Sequence, residues 1–141
     1  MLLPVLIKYE SGDIMEISHK FYNCSHCGNT AVLVVNKGVP LVCCGEKMSE
    51  LVPNTVEAST EKHLPAVTLS GSSLSVQVGS VPHPMEDEHH ISFVYVETEN
   101  GGQRKRFNKG AQPKCIFSFT DDKPVAVYAF CNLHGLWITV I

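Results

Sequence analysis

Four cysteines in the first third of the chain occur in two close pairs, a spacing typical of a metal site. Cys24 and Cys27 are separated by two residues in CSHCG, and Cys43 and Cys44 are adjacent in CCGE. Two tight turns that each carry two thiols can close a tetrahedral site of four thiolates. Such a site suits zinc and iron equally well, so the thiols alone leave the identity of the metal open.

A glycine follows each cysteine pair, and glycine has a specific use at such a site. Gly28 and Gly45 can adopt the positive φ angles that direct backbone amides toward the sulfur atoms. Neighbouring side chains of an extended strand point to opposite faces, so Cys43 and Cys44 can share one metal only if the chain turns there. We therefore expect a tight turn at each pair.

The second part of the chain carries a different set of possible ligands, in which histidines predominate. Three of these histidines lie next to, or two residues from, a proline or glycine, on stiff or sharply turned backbone that fixes the direction of a side chain. Several neutral imidazoles with one thiolate suit iron or copper better than zinc. Two adjacent histidines enter a predicted strand, so only one of the two can face the same centre. The candidates are His63, His83, His89, His90, Cys131 and His134.

The hydrophobic pattern predicts an all-β chain. In SLSVQV, Leu74, Val76 and Val78 share one face, which is the period of a half-buried strand. No stretch of helical length has an apolar stripe with the 3.6-residue period. GQRKRF (102 to 107) is predicted to be a solvated turn, because glycines open it. The predicted strands are VLIKY (5 to 9), AVLVV (31 to 35), SLSVQV (73 to 78), ISFVYV (91 to 96), CIFSF (115 to 119), VAVYAF (125 to 130) and LWITVI (136 to 141).

The distribution of cysteines and strands predicts two units with a boundary near LVPNTVEAST. Residues 1–55 form a small unit that includes an N-terminal extension, residues 1–19. A unit of this size commonly relies on a metal, because it cannot build a large core. Residues 56–141 carry strands at the spacing of a β-sandwich.

Composition excludes several classes of protein. The net charge is -3 and the sequence pI is about 6.1, so we expect no nucleic-acid partner. No apolar run approaches the roughly 20 residues of a membrane span, and the start of the chain lacks the pattern of a signal peptide. We therefore expect a cytoplasmic protein with no membrane partner, whose cysteines are reduced thiols or metal ligands.

Other residues of these types are predicted to have structural roles. His26 is expected to be a solvent-facing spacer and His19 a surface residue. Cys115 shares a face with two phenylalanines in CIFSF, so we expect a buried core thiol. Asn132 and Leu133 are expected to shape the turn between the last cysteine and histidine and to shield the sulfur.

Five motifs together resemble a known family. CSHCGN, LVCCGEKM, EKHLP, GSVPHPMEDEHH and CNLHGLW are similar, in order and spacing, to the motifs of the desulfoferrodoxins, which are two-iron superoxide reductases. The resemblance runs from about Lys20 to Trp137. It implies a desulforedoxin-like, or rubredoxin-like, metal-knuckle domain followed by an immunoglobulin-like β-sandwich.

The resemblance also implies a ligand set for each of two iron ions. The first iron would be bound by Cys24, Cys27, Cys43 and Cys44, a site in which zinc could substitute. The second would have four histidine ligands in a plane and an axial thiolate, namely His63, His83, His89, His134 and Cys131. The family pattern selects His89 over His90, which stands where the family commonly has a tryptophan.

The activity that the resemblance implies is the one-electron reduction of superoxide to hydrogen peroxide at the second, non-haem iron, with the four-cysteine iron as an electron relay. Lys62 would attract superoxide, and Glu61 would occupy the open position of the oxidised iron. The family also implies a rubredoxin-like electron donor, a homodimer and a role in detoxification under oxidative stress. A further departure lies at the N-terminus, where 23 residues precede the first cysteine; either VLIKYESGDIMEI adds a hairpin or the true start is Met15.

Two alternatives remain open. A non-catalytic iron electron-transfer protein would have a coordinatively closed second iron. A blue-copper-like protein also takes a cysteine and a histidine from the C-terminal part of a β-sandwich, but it usually adds a weak axial methionine. This chain has no methionine after Met85 and more histidines than a blue-copper site uses.

Overall fold

The computed structural model describes residues 5–8, 14–17, 19–108 and 110–141, and in these residues the chain is almost entirely β. No helix in this part of the chain is long and apolar enough to cross a membrane. The first half contains β1 (Val5–Lys8), β2 (Ile14–Ile17), β3 (Phe21–Asn23), β4 (Thr30–Val32), β5 (Val42–Cys43), β6 (Glu46–Lys47) and β7 (Ser49–Leu51). The second half contains α1 (Thr60–His63), β8 (Pro65–Ser70), β9 (Ser73–Val78), β10 (Ile91–Thr98), β11 (Gly102–Lys105), β12 (Lys114–Ser118), β13 (Pro124–Cys131) and β14 (Gly135–Val140).

The N-terminal extension forms a hairpin, as one of the two alternatives for VLIKYESGDIMEI predicted. Strands β1 and β2 pair antiparallel, with Val5 opposite Ile17 and Lys8 opposite Ile14. The connecting residues 9–13 lie outside the described residues. The next unit contains a three-stranded sheet in the order β4-β3-β7 and the two-stranded sheet β5-β6.

The second half is a β-sandwich of two antiparallel sheets. One sheet has the strand order β11-β10-β13-β14 and the other β12-β9-β8. Alternate side chains of both sheets meet in a shared core, in which Leu74, Val78, Val94 and Phe117 are fully buried. The alternation predicted for SLSVQV is confirmed, because Leu74, Val76 and Val78 are buried whereas Ser75 is exposed.

Strand β13 is buried on both of its faces. Val127, Ala129 and Cys131 enter the core between the sheets. Ala126 and Tyr128 on the opposite face pack in a second core, together with residues of the N-terminal unit and of β14. The ring of Phe21 contributes to this second core, with its centroid 5.0 Å from that of Tyr128 and 5.9 Å from that of Phe93.

Side chains of β11 cover the exposed edge of β12. The amide of Gln103 donates to the Ser118 carbonyl at 3.0 Å, and the ammonium group of Lys105 donates to the Ile116 carbonyl. Lys105 also lies over the ring of Phe117, 5.2 Å from its centroid. These contacts connect the two sheets at one side of the sandwich. They also occupy carbonyl groups that an edge strand otherwise leaves unpaired.

Three expectations from the sequence were wrong. GQRKRF is not only a turn, because Gly102–Lys105 forms β11 at the edge of the four-stranded sheet. An edge strand can be charged on its exposed side, so its residues do not show the expected alternation. The strand predicted at residues 31–35 ends at Val32, and the side chain of Val34 is fully exposed. His19 is not a simple surface residue, since it packs against the sandwich.

A buried carboxylate joins the start of the knuckle unit to the sandwich. Glu97 is only 2% exposed, and its Oε1 accepts hydrogen bonds from the His19 backbone amide and the Tyr128 hydroxyl, both at 3.1 Å. The hydroxyl of Tyr95 lies 3.1 Å from Nδ1 of His19. Burial together with the neighbouring Glu97 raises the pKa of Tyr128, so this hydroxyl stays protonated as a donor.

We expect Tyr128→Phe to lower the free energy of unfolding by about 1 to 3 kcal/mol, because a buried carboxylate loses one hydrogen-bond donor. Urea unfolding of the two proteins would measure this difference. Tyr22→Phe is the control, because the Tyr22 hydroxyl makes no hydrogen bond among the described residues. Equal destabilisation by the two substitutions would show that the Glu97 contact contributes nothing.

Candidate metal centres

The four cysteines of the N-terminal unit converge. The sulfur atoms of Cys24, Cys27, Cys43 and Cys44 all lie within 4.8 Å of one another, close enough to bind one metal ion. Cys24 is buried at the base of the cluster, whereas Cys27 and Cys44 are exposed. No two of these cysteines form a disulfide.

Both cysteine pairs lie in tight turns, as the glycines predicted. Gly28 and Gly45 have φ angles of 81° and 77°, and Cys44 itself has a φ of 53°. This left-handed residue breaks the strand alternation and brings the two adjacent thiols to the same side of the chain. The backbone amide of Asn29 donates to the sulfur of Cys27 at 3.4 Å. The predicted turn geometry is therefore confirmed at both pairs.

The ionisation of these thiols favours a bound cation. Hydrogen bonds from the backbone amides of Cys27 and His26 lower the pKa of Cys24 to about 6. Interactions with the sulfurs of Cys27 and Cys24 raise the pKa of Cys44 to about 12. One thiolate therefore forms readily at neutral pH, but further thiolates need a cation to balance the accumulated charge. A metal ion that binds four thiolates supplies that charge.

A second group of donors lies at one end of the sandwich, where separate segments meet. His63 ends α1, His89 precedes β10, Cys131 ends β13 and His134 lies in the turn before β14. Their ligand atoms all lie within 4.8 Å of one another. His83 is not part of that set of four, but its Nε2 is 3.2 Å from Nε2 of His63.

The tautomers of two histidines are determined by backbone carbonyls. Nδ1 of His63 lies 2.6 Å from the Ser59 carbonyl, and Nδ1 of His83 lies 2.7 Å from the Pro84 carbonyl. A carbonyl oxygen only accepts, so each Nδ1 carries the proton and each Nε2 of the neutral rings presents a lone pair. These two lone pairs face each other at 3.2 Å with no proton between them.

Burial keeps these imidazoles neutral. Desolvation lowers the pKa of His63 and of His89, and it lowers the pKa of His83 to about 4. Nε2 of His89 is buried without a hydrogen-bond partner. Facing lone pairs and an unpartnered buried nitrogen are unfavourable in an apolar interior, and a metal ion at their centre satisfies all of them. The donor set therefore fits a transition-metal ion.

The sulfur of Cys131, the last residue of β13, completes the set of donors. The side chain is fully buried, and this burial raises the pKa of its thiol. Backbone amides of Leu133 and His134 hydrogen-bond to the sulfur and favour the thiolate. Nδ1 of His134 lies 3.7 Å from this sulfur and 3.1 Å from Nε2 of His63, so His134 presents its Nδ1 to the centre.

Glu61 and Lys62 are exposed on α1, directly before the ligand candidate His63. Burial is the main cause of the lowered pKa of His63 and His89, and the ammonium charge of Lys62 makes a further, smaller contribution to both. The turn after β9 supports this segment. The Val81 amide donates to the Glu61 carbonyl at 3.1 Å, and a Cβ on Gly79 would lie 2.7 Å from Cα of Lys62.

The remaining histidines and the sixth cysteine lie outside both clusters. His26 is exposed, as predicted, and its Nε2 pairs with Glu46 at 3.0 Å. Nδ1 of His90 lies 3.0 Å from the Glu86 carbonyl instead of facing the centre. Cys115 packs against the sandwich core as a partly buried thiol, and burial raises its pKa to about 11.

Sequence reasoning missed the residues that orient the histidines. Ser59 and Pro84 act through backbone carbonyls, and a carbonyl leaves no residue-type signal in a sequence. The sequence pattern also assigned no role to Trp137, the last residue of the CNLHGLW motif. Its ring stacks on His63 with centroids 4.9 Å apart, and its indole nitrogen donates to the His134 carbonyl at 3.1 Å. An aromatic residue close to a ligand motif is the one signal that could have indicated this contact.

Comparison with known proteins gives consistent matches over most of the chain. The family model for desulfoferrodoxin matches residues 55–140, and the model for the desulfoferrodoxin N-terminal domain matches residues 18–51. A desulfoferrodoxin homologue of Archaeoglobus fulgidus is 39% identical over 116 residues, which cover 82% of this chain and 92% of the relative. A superoxide reductase of Pyrococcus horikoshii is 34% identical over 96 residues. The matched region covers 55% of this chain and 83% of the relative.

A solved structure has the same fold. The crystal structure of the superoxide reductase from Treponema pallidum superimposes with a TM-score of 0.73 at 34% sequence identity. The match covers 86% of this chain and 98% of that one. The all-β architecture expected from the sequence is confirmed.

We expect the two clusters to lose metal independently. Cys24→Ser should reduce the bound metal from about two ions per chain to about one and leave the histidine-containing site loaded. Cys131→Ser should weaken metal binding at the histidine-containing site only. Elemental analysis with a visible spectrum measures both. Cys115→Ser is the matched control and should retain both ions. Loss of both ions in either single variant would contradict the independence of the sites.

Proposed function

The chain belongs to the desulfoferrodoxin family, and from that membership we propose that it is a superoxide reductase. It is an oxidoreductase that uses one electron and two protons to convert superoxide to hydrogen peroxide without forming oxygen. The relatives from Pyrococcus horikoshii and Treponema pallidum carry this name. The observation that carries the proposal is the convergence of buried, unprotonated imidazole nitrogens on one cysteine sulfur.

The proposed ligand sets account for both clusters. One iron ion is held by the four cysteine thiolates of the knuckle unit. Four imidazoles and one thiolate would hold the catalytic iron, and this iron would supply the electron that superoxide accepts. If these five donors bound one six-coordinate ion, one position would remain for the substrate, as a catalytic site requires. The ligands of this iron are His63, His83, His89, His134 and Cys131, which are supported by their mutual distances.

The protein's own groups prepare the site for an anionic substrate. Burial keeps the imidazoles of His63, His83 and His89 neutral, so these three stay available as donors and add no charge. Lys62 attracts superoxide locally, which matters because the net charge of the chain is -3. A positive group near an open site can raise association rates by roughly 10- to 1,000-fold. The reach of the Lys62 charge to His63 and His89 supports this role.

Glu61 has a different role in the proposal. The Glu61 carboxylate would be a further ligand of the oxidised iron and would make way for the substrate on reduction. The exposed position of Glu61, two residues before His63, supports this assignment. The visible spectrum of the oxidised protein tests it, because Glu61→Ala should change that spectrum and an unchanged spectrum would remove Glu61 from the site.

The wider organisation is also part of the proposal. Residues 1–55, including the extension 1–19, form the four-cysteine unit, and residues 56–141 form the catalytic unit. The four-cysteine iron relays electrons from a rubredoxin-like donor, and the protein is a cytoplasmic homodimer. The free state of all six cysteines agrees with a reducing compartment. Light scattering of the metal-loaded protein would test the dimer.

The direct test mixes anaerobically reduced, iron-loaded protein with superoxide in a stopped-flow instrument. We expect second-order oxidation of the iron and one hydrogen peroxide per oxidised site, without oxygen. Oxygen release would indicate dismutation instead. No reaction, together with failure of azide to bind, would favour the non-catalytic electron-transfer alternative.

We expect Lys62→Ala to retain both irons, to lower the second-order rate constant for superoxide by about 10-fold or more and to flatten its dependence on salt. Stopped-flow measurements at several ionic strengths provide both quantities. Lys123→Ala is the charge-matched control, because Lys123 is exposed in the turn before β13. If the two variants reacted equally fast, Lys62 would have no specific role.

A further inference from the structure

The side chain of Asn132 joins two segments that carry proposed ligands. Asn132 directly follows Cys131, and its amide bonds to the peptide groups on both sides of His89. Its Nδ2 donates to the Glu88 carbonyl at 2.9 Å, and its Oδ1 accepts from the His90 backbone amide at 2.8 Å. The Asn132 backbone amide also donates to the His90 carbonyl at 3.2 Å. Three hydrogen bonds thus hold residues 88–90 against residues 131–132.

These hydrogen bonds take the place of the β10–β13 ladder, which does not extend to residues 88–90. The pairing of β10 with β13 ends at Ile91 opposite Cys131, and a register shift follows between Ile91 and Phe93. Residues 88–90 lie beyond this last pair and receive no regular strand pairing from β13. In these bonds the side-chain amide of Asn132 uses one N–H donor and its oxygen acceptor, which are the groups that a peptide unit of a neighbouring strand would supply.

His89 depends on this support more than the two histidines whose tautomers are fixed. The rings of His63 and His83 are each oriented by a hydrogen bond from Nδ1 to a backbone carbonyl. No hydrogen bond to the ring of His89 exists among the residues that the structure describes, and its Nε2 is buried without a partner. The direction of this ring is therefore set by its backbone and by packing.

We propose that Asn132 is the positioning residue for His89, holding the backbone on both sides of this ligand through its side-chain amide. The inference rests on the proposed function, because it takes His89 as a ligand of the catalytic iron. Outer groups that orient metal ligands typically contribute 10- to 100-fold to metal affinity. Asn132 acts on the ligand through the peptide backbone, which extends this rule to a ligand whose ring has no hydrogen bond of its own.

The chain contains a matched control for this contact. Asn54 makes the same two-point bridge elsewhere, since its Nδ2 donates to the Ile138 carbonyl at 3.2 Å and its Oδ1 accepts from the Ile138 amide at 2.9 Å. Both asparagines are exposed. Asn54 also has a φ of 60°, which asparagine tolerates better than alanine, so Asn54→Ala should cost at least as much stability as Asn132→Ala.

The test compares Asn132→Ala, Asn54→Ala and the unaltered full-length protein, each loaded anaerobically with ferrous iron. Competition with a chelator should show about 10- to 100-fold weaker iron binding at the histidine site of Asn132→Ala only. The four-cysteine site should be unchanged in all three proteins. The visible and electron paramagnetic resonance spectra of the oxidised histidine site should change in Asn132→Ala and not in Asn54→Ala.

A conservative variant makes the test independent of a folding defect. Asn132→Asp keeps the acceptor for the His90 amide and loses the donor to Glu88, so its iron affinity should fall between those of the unaltered protein and Asn132→Ala. Equal iron affinity and equal spectra in Asn132→Ala and Asn54→Ala would overturn the proposal. His89→Ala tests separately whether His89 is a ligand at all. Undiminished iron binding in that variant would refute the proposed ligand set, and not only the positioning role of Asn132.

Discussion

Burial of β13 on both faces is the constraint on which the rest of the structure depends. Its alternation sends one set of side chains into the core between the two sheets and the other set toward the N-terminal unit. The first set ends in Cys131, so the sulfur is delivered to the metal site by the same packing that holds the sandwich together. The second set includes Tyr128, which meets Phe21 and the buried carboxylate of Glu97. A single strand thus fixes a candidate ligand and the position of the neighbouring unit.

The two candidate centres handle charge in opposite ways. At the four-cysteine cluster, turns with positive φ angles aim amides at sulfur atoms, and thiolates accumulate near the surface. At the histidine cluster, burial removes charge from the imidazoles and leaves neutral lone pairs that face one another. The first arrangement would stabilise a metal by negative charge. In the second, the neutral imidazoles would leave the charge of the metal to be balanced by the Cys131 thiolate and an anionic substrate.

The sequence indicated much of this arrangement, and the reasons for each success are physical. Thiols in close pairs with glycines have few other uses, and the alternation of SLSVQV follows directly from a half-buried strand. The preference for His89 over His90 needed the family resemblance, since adjacent strand residues are equivalent by periodicity. Edge strand β11 was missed because charged residues obscure its alternation. The carbonyls of Ser59 and Pro84 were missed because a backbone contact depends on geometry and not on residue type.

The contacts from β11 to the edge of β12 have a consequence for the solubility of the protein. An uncovered strand edge is a template onto which another chain can add a strand, and that addition leads to aggregation. Gln103 and Lys105 occupy the carbonyls of Ser118 and Ile116 with their own side chains. Lys105 also places a charge at this edge, which a second neutral strand would have to desolvate. Two copies of the chain are therefore shielded from pairing with each other at this edge.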